Sequence, residues 1–178
     1  MRHSSGENHQ GEPELSATPF RYREATSADV PAMEHARAAD PGAGPADERT
    51  AAYLEGRHHP QEALGPRTAF VALESDDVVG YIGGHATTRH GCAGEVQYLY
   101  VSPRHRRRAV GRTLLQSLAK WFREQGIRRV CVNVDVESPG AEPFYSALGA
   151  RPLSRYWYVW EDIEATLARS DAETHRPS

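Results

Sequence analysis

The chain has 178 residues, of which 39% are hydrophobic and 25% charged, and its formal net charge is −3. That length suits a single domain with a real core, the composition is that of an ordinary globular protein, and the acidic balance speaks against nonspecific nucleic-acid binding as the main role. Two cysteines, Cys92 and Cys131, give neither a disulfide framework nor a metal-ligand spacing, and no apolar run approaches the ~20 residues of a membrane span.

Residues 1–18 are rich in Ser, Gly, Glu, His and Pro and read as a disordered tail. They lack the hydrophobic centre of a signal peptide, which points to the cytoplasm. Phe20 to Glu24 suits a short strand. Thr26-Ser-Ala-Asp29 signals a helix start continued by Val30 and Met33, and Pro41-Gly-Ala-Gly-Pro45 breaks that helix. Asp47 to Gly56 suits a second short helix, and His58 to Pro66, with its adjacent His58-His59 pair, an exposed loop.

Thr68 to Leu73 and Val78 to Thr88 are strands of a hairpin turning at Glu74-Ser-Asp-Asp77. Gly83-Gly84 within it marks a bulge or a close backbone approach. After a turn over Arg89 to Gly94, Glu95 to Val101 is a strand that ends at Ser102-Pro103. An arginine-dense loop follows, and Val110, Leu114, Leu115, Leu118 and Phe122 then recur at helical spacing until Gly126. Arg129 to Val136 is a buried strand, Pro139 to Leu148 a short helix, and Leu153 to Trp160 closing strand material broken in two. From Ala165 to Ser178 the chain reads as a polar, fraying tail. The expected domain therefore covers residues 19–164, and its fold class is α/β (α+β): a mixed, mostly antiparallel central sheet flanked by helices.

A strand that runs through a basic loop into a helix is an anion site in outline. The first N–H groups of a helix lack intrahelical partners and sit at the positive end of its dipole, and arginines can add charge-assisted bonds. Arg106-Arg-Arg-Ala-Val-Gly111 also resembles the R/Q-x-x-G-x-G/A loop of the GNAT superfamily of N-acetyltransferases, and the order of elements over Phe20 to Asp162 is similar to that family's. The resemblance implies that Arg106, Arg107, Arg108, Ala109, Val110, Gly111 and Arg112 hold the pyrophosphate of acetyl-coenzyme A. It also implies that Tyr100 and Val101 pair with the pantetheine arm through their backbones, the Val101 N–H polarising the acetyl carbonyl. Ala109 departs from the pattern by standing where the first glycine is usual; alanine tolerates helical angles, but its methyl narrows a phosphate's approach. Ser138 stands where the family often has Asn and would touch the same arm.

Acetyl transfer to an amine needs a base, because an alkylammonium of pKa ~10 has no lone pair to attack with, and it needs help for the departing thiolate. Glu95, eleven residues before Arg106, resembles the glutamate base of the histone-acetylating branch, and Gln97 on the same strand face could orient the acceptor or a water. Ala141-Glu-Pro-Phe-Tyr145-Ser-Ala-Leu-Gly149 is similar to the family's A-x-x-F-Y-x-x-x-G segment, which implies Tyr145 as the acid beside sulfur. Either residue could equally be structural, Glu95 as an exposed strand end and Tyr145 as a core aromatic.

The expected partners are acetyl-coenzyme A and an amine acceptor, with no metal, nucleic acid or membrane, and a homodimer stays open. The resemblance puts the acceptor between Ala39–Pro66 and Ser154–Trp160, where Asp40, Asp47, Glu48 and Glu55 could attract a cation and Tyr156, Trp157, Tyr158 and Trp160 could stack on it. A small-molecule amine is the reading taken. A protein lysine or N-terminus, a bulkier acyl group or carrier-protein thioester, and a non-catalytic acyl-coenzyme A sensor are the alternatives.

Overall fold

The structure is a computed structural model and describes residues 20–43, 49–134 and 140–174. The expected tail over residues 1–18, Asp47, Glu48 and Ser138 lie outside these residues. The elements in chain order are β1 (Arg21–Glu24), α1 (Val30–Ala38), α2 (Arg49–Leu54), β2 (Ala63–Glu74), β3 (Asp77–Thr87), β4 (Gly94–Val101), α3 (Val110–Glu124), β5 (Val130–Asn133), α4 (Ala141–Ala147), β6 (Arg151–Ser154), β7 (Trp157–Trp160) and α5 (Ile163–Thr174). The strands form one seven-stranded sheet in the order β1-β2-β3-β4-β5-β7-β6. Every pairing is antiparallel except β4 with β5.

Local chemistry explains the main boundaries. The Thr26 N–H donates to Asp29 Oδ2 at 2.8 Å, closing the first turn ahead of α1, and Pro31 stands in the first turn, where its missing N–H costs nothing. In α3 the apolar stripe read from the sequence is the core face: Val110, Leu114, Leu115, Leu118 and Phe122 are all buried. Each such side chain contributes on the order of 1.5–3 kcal/mol by leaving water. On the opposite face of the sheet, Met33 of α1 packs with Val71, Tyr81 and Tyr100.

Gly83-Gly84 is both of the things the sequence suggests. The β3–β4 register shifts between these glycines, leaving Gln97 as the extra residue between the pairs Gly83↔Tyr98 and Gly84↔Val96. A Cβ on Gly83 would come within 2.5 Å of the Tyr98 ring, and one on Gly84 within 3.0 Å of the Glu95 carbonyl oxygen.

Two expectations are corrected. β2 begins at Ala63, so the expected loop to Pro66 is partly strand. The polar tail expected over residues 165–178 is instead helix α5 as far as Thr174; Ile163 and Leu167 are buried against the α3 side of the core, so an apolar stripe of low density was enough. No helix among the described residues is long and apolar enough to cross a membrane.

Candidate active site

The arginine-rich loop is held from three sides. Glu74, at the end of β2, accepts from His105 Nε2 at 2.9 Å and from Arg108 Nη1 at 3.3 Å. The His105 bond above all, with the charges of His105 and Arg108, keeps the Glu74 carboxyl below its usual pKa. The Arg108 guanidinium also lies 4.6 Å from the centre of the Phe20 ring. Arg106 Nε donates to the Val101 carbonyl at 3.0 Å and Nη2 to Asp40 Oδ2 at 2.8 Å, tying the loop to the end of α1. Arg106 and Arg108 are therefore anchors of the loop first. Asp40, buried and paired with Arg106, is spoken for and not a free attractor of amines; Glu55 is likewise paired with Arg57.

The backbone of this loop is unusual. Arg107 has φ 63°, and Ala109, which caps α3, sits at φ 61°, ψ 5°. The alanine at the usual glycine position thus carries conformational strain of about 1–2 kcal/mol as well as a methyl group, a cost that the expected right-handed angles would not incur. The result is an arc of donors. Among the described residues no backbone carbonyl accepts the N–H of Arg107, Arg108, Ala109, Val110 or Gly111, and the first bond into the helix runs from Thr113 N to Ala109 O at 3.0 Å. The Val110 side chain points into the core, so it is the backbone there that faces outward to an anion. Gly111 lacks a Cβ where one would lie 3.3 Å from the Phe144 ring and 3.5 Å from Val101 Cγ2. A consecutive run of free N–H groups at a helix start is what a pyrophosphate requires, so the residues present fit the phosphate end of coenzyme A. Arg112 borders this arc, half-buried on the first turn of α3.

Beside the loop the sheet opens. β4 and β5 pair only over Gly94↔Val130, Glu95↔Cys131 and Val96↔Val132, after which β5 stays with β7 as far as Asn133. Among the described residues the second half of β4 thus has no neighbour on that side. Ser102 N donates to Val79 O on β3 at 2.9 Å. Because N–H directions alternate along a strand, the Tyr100 N–H also faces β3 and the Val101 N–H faces the opening. Of the two expected backbone partners, only Val101 is turned the right way. The Tyr100 side chain is buried on the other face, its hydroxyl on Ala36 O at 2.8 Å and its pKa pushed up to about 12 by burial and the nearby Asp40 charge.

α4 brings the aromatic pair to this opening. Phe144 reaches Gly111, which Val101 also borders, and Tyr145 packs edge-on between Phe144, at 5.1 Å, and Trp160, at 5.8 Å. Burial pushes the Tyr145 phenol well above its ordinary pKa, so the hydroxyl keeps its proton at any physiological pH.

Glu95 is not an exposed strand end. It is 5% exposed, and Arg89 Nε donates to its Oε2 at 3.0 Å. His85, opposite it on β3, is wholly buried, with Nε2 3.7 Å from the same oxygen and Nδ1 3.0 Å from the Tyr53 hydroxyl. Burial drives the Tyr53 pKa far up, so its hydroxyl stays protonated beside Nδ1, and at 3.7 Å His85 Nε2 faces the carboxylate without a hydrogen-bond partner among the described residues. Arg89 in turn lies 4.9 Å from the centre of the Trp157 ring.

Next to this cluster is a cavity of about 220 Å³, lined by Arg37, Thr50, Tyr53, His58, Tyr81, Gln97 and Tyr98. The β4 bulge turns both Gln97 and Tyr98 into it. Of the four aromatics expected around the acceptor, Tyr158 and Trp160 belong to the core, Trp157 stacks on Arg89 and His90, and Tyr156 is exposed under Arg155. Sequence reasoning missed Arg37, Tyr53, His85 and Arg89. His85, a histidine inside an otherwise apolar strand, was the one visible signal.

Both cysteines are buried free thiols, and burial pushes their pKa values upward, which suits small core residues and not nucleophiles.

The chain is similar in fold to several solved acetyltransferases. An acetyltransferase from Thermus thermophilus superposes with TM-score 0.65 at 22% identity, over 81% of this chain and 97% of that one. Arabidopsis thaliana NAA60 in complex with acetyl-CoA gives 0.62 at 12%, over 80% and 98%. The PaiA N-acetyltransferase of Thermoplasma acidophilum in complex with coenzyme A gives 0.58 at 18%, over 79% and 96%. No curated protein matches the chain in sequence. The acetyltransferase (GNAT) family model matches residues 32–150, a span that runs from α1 through the N–H arc to the end of the Tyr145 helix, and the chain belongs to the GNAT family of acetyltransferases.

Proposed function

We propose that this protein acetylates a primary amine of a small molecule by direct transfer within a ternary complex. Membership of the family makes it an acetyl-coenzyme A-dependent N-acetyltransferase; the acceptor, the mode of transfer and the residue roles are our reading. The observation that carries it is the juxtaposition of the free N–H arc over Arg107 to Gly111 with the unpaired half of β4. An extended arm bound along Val101 with its phosphates on that arc has a thioester end directed toward the centre of the sheet, where Glu95 and Tyr145 flank the opening.

The donor supplies an acyl carbon already activated as a thioester. Glu95 takes the proton that the amine sheds as its nitrogen bonds the acyl carbon. Its Oε2 is engaged by Arg89, so Oε1 is the atom assigned to this step. The Val101 N–H donates to the oxygen that becomes negative. Tyr145 donates a hydrogen bond to sulfur as the C–S bond breaks. Its raised pKa makes it a stabiliser of the thiolate more than a source of a fully transferred proton.

The test is calorimetric binding of acetyl-coenzyme A together with a broad amine screen that reads thiol release. Gly111→Asp places a carboxylate in the arc and should weaken binding at least about tenfold. Arg106→Ala should weaken it less, through the loosened loop. Unchanged affinity in both variants would overturn the assignment.

A further inference from the structure

We infer that the acceptor is an amine that also carries a carboxylate, such as an amino acid or ω-amino acid, with the carboxylate on Arg37 and the amine at Gln97. This rests on the proposed transfer reaction and names its substrate class. The cavity beneath α1 and α2 is lined by Arg37, His58 and three phenols, Tyr53, Tyr81 and Tyr98, with Gln97 at the bulge, and among the described residues no Asp or Glu lines it.

Three of its buried polar atoms lack hydrogen-bond partners: Arg37 Nε, Gln97 Oε1 and the Tyr98 hydroxyl. Buried polar atoms are almost always satisfied, and each one left bare costs about 1–3 kcal/mol, so three around one cavity mark the places a ligand completes. Their chemistry specifies the ligand. Arg37 offers a donor on a positive charge whose other contacts, Ala43 O at 2.6 Å and the Tyr81 hydroxyl, are neutral. Gln97 Oε1 offers an acceptor, as an amine N–H needs. Tyr98, kept a neutral phenol by burial, can serve either end.

Charge decides among amines. A polyamine or an aminoglycoside-like polycation would bring further positive charge against Arg37, with no carboxylate among the described wall residues to offset it, and like charges in a half-buried site repel by several kcal/mol. An amino carboxylate meets a cation at one end and an amide oxygen at the other, with ring faces between for its methylenes. Tyr53, on the cavity wall, bonds His85 Nδ1 at 3.0 Å, and His85 Nε2 stands 3.7 Å from Glu95, so the cavity adjoins the proposed base.

The experiment compares ω-amino acids of two to six carbons with n-alkylamines of equal length. Two quantities are read: thiol release from acetyl-coenzyme A, and calorimetric binding to enzyme saturated with coenzyme A. The best amino acid should exceed its alkylamine by about tenfold or more in kcat/KM and in affinity, the scale of one charge-assisted hydrogen bond. Arg37→Gln should collapse that ratio toward one through KM, and Arg37→Lys should retain part of it. The wild-type ratio needs no variant, so misfolding of Arg37→Gln leaves the test standing. A wild-type preference for alkylamines or diamines, or a ratio that survives Arg37→Gln, overturns the acceptor class. Turnover without carboxylate preference sinks the acceptor class and sustains transfer; carboxylate-selective binding without turnover of any amine does the reverse.

Discussion

Arg89 Nε lies 3.0 Å from Glu95 Oε2, and the two side chains are only 15% and 6% exposed. Arg89 also donates to Gln61 O ahead of β2 and stacks on Trp157 of β7. One guanidinium thus ties the proposed base to the segment entering β2 on one side and to β7 on the other. A buried pair of this kind is worth little net against an apolar replacement, but breaking one partner leaves a stranded charge and costs several kcal/mol.

Glu95→Gln keeps the shape and removes the proton acceptor. Steady-state rates at pH 7 should fall ~10²-fold or more, while calorimetric affinity for acetyl-coenzyme A holds. Activity should partly return at high pH, where more of the amine is already neutral. Thermal melting should also drop, because Arg89 loses its counter-charge. A variant that melts lower yet works at full rate would make Glu95 a structural partner of Arg89 only.

Ala109→Gly should stabilise the protein. The left-handed φ of 61° costs alanine about 1–2 kcal/mol, whereas glycine's greater freedom in the unfolded chain costs about 0.4–1 kcal/mol. The balance, about 0.5–1 kcal/mol, should raise the melting temperature by about 2 °C in a chain of this size. Affinity for acetyl-coenzyme A should rise with it, as the methyl leaves the N–H arc. A drop in melting temperature would show that the strain is offset elsewhere.

Tyr145→Phe deletes one hydroxyl and keeps the ring between Phe144 and Trp160. The chemical step should slow with little change in cofactor affinity. The loss should shrink with acyl donors of more acidic thiols, which need less help to leave. Equal slowing with every donor would assign Tyr145 to positioning.

Asp29 supplies a pH prediction independent of the site. Its carboxyl accepts from Arg23 Nη1 and Nη2, at 2.8 and 2.7 Å, and chiefly that pairing, with help from the Thr26 N–H, lowers its pKa from 3.8 to about 2. A depressed carboxylate stabilises the fold above its unfolded pKa and loses that contribution as pH falls through the folded one. Asp29→Asn should therefore cost about 2 kcal/mol at pH 7, and urea midpoints of wild type and variant should converge between about pH 4 and pH 2. A gap that stays constant down to pH 2 would point to the cap alone.

The strands and helices were legible wherever one residue spacing ruled a whole segment. The α3 stripe, the Thr26–Asp29 start, the β2–β3 hairpin and the glycine pair all follow from local pattern, and the loop after β4 was visible from its arginines. What stayed hidden depends on contacts far apart in sequence. Nothing near Asp40 announces that Arg106 will claim it 66 residues later. Tyr53, His85 and Glu95 meet because β3 pairs with β4 and α2 lies over both. The left-handed Ala109 was missed because glycine is the residue that normally signals such an angle. α5 was missed because its hydrophobic face rests on two residues, Ile163 and Leu167.

That last helix makes the chain's C-terminal segment a brace for Tyr145. α4 stops at Gly149, at φ +83°, and a Cβ there would come within 2.3 Å of Thr166 Cγ2 on α5. Trp160, the ring against which Tyr145 stands, sends its indole N–H to the carbonyl of Leu148, just past the end of α4, at 3.0 Å. The family match ends at residue 150, ahead of α5. Proteolytic trimming after Asp162 would take Ile163 and Leu167 out of the core together with the Thr166 contact at Gly149, so the fold and the tyrosine's seat would loosen together.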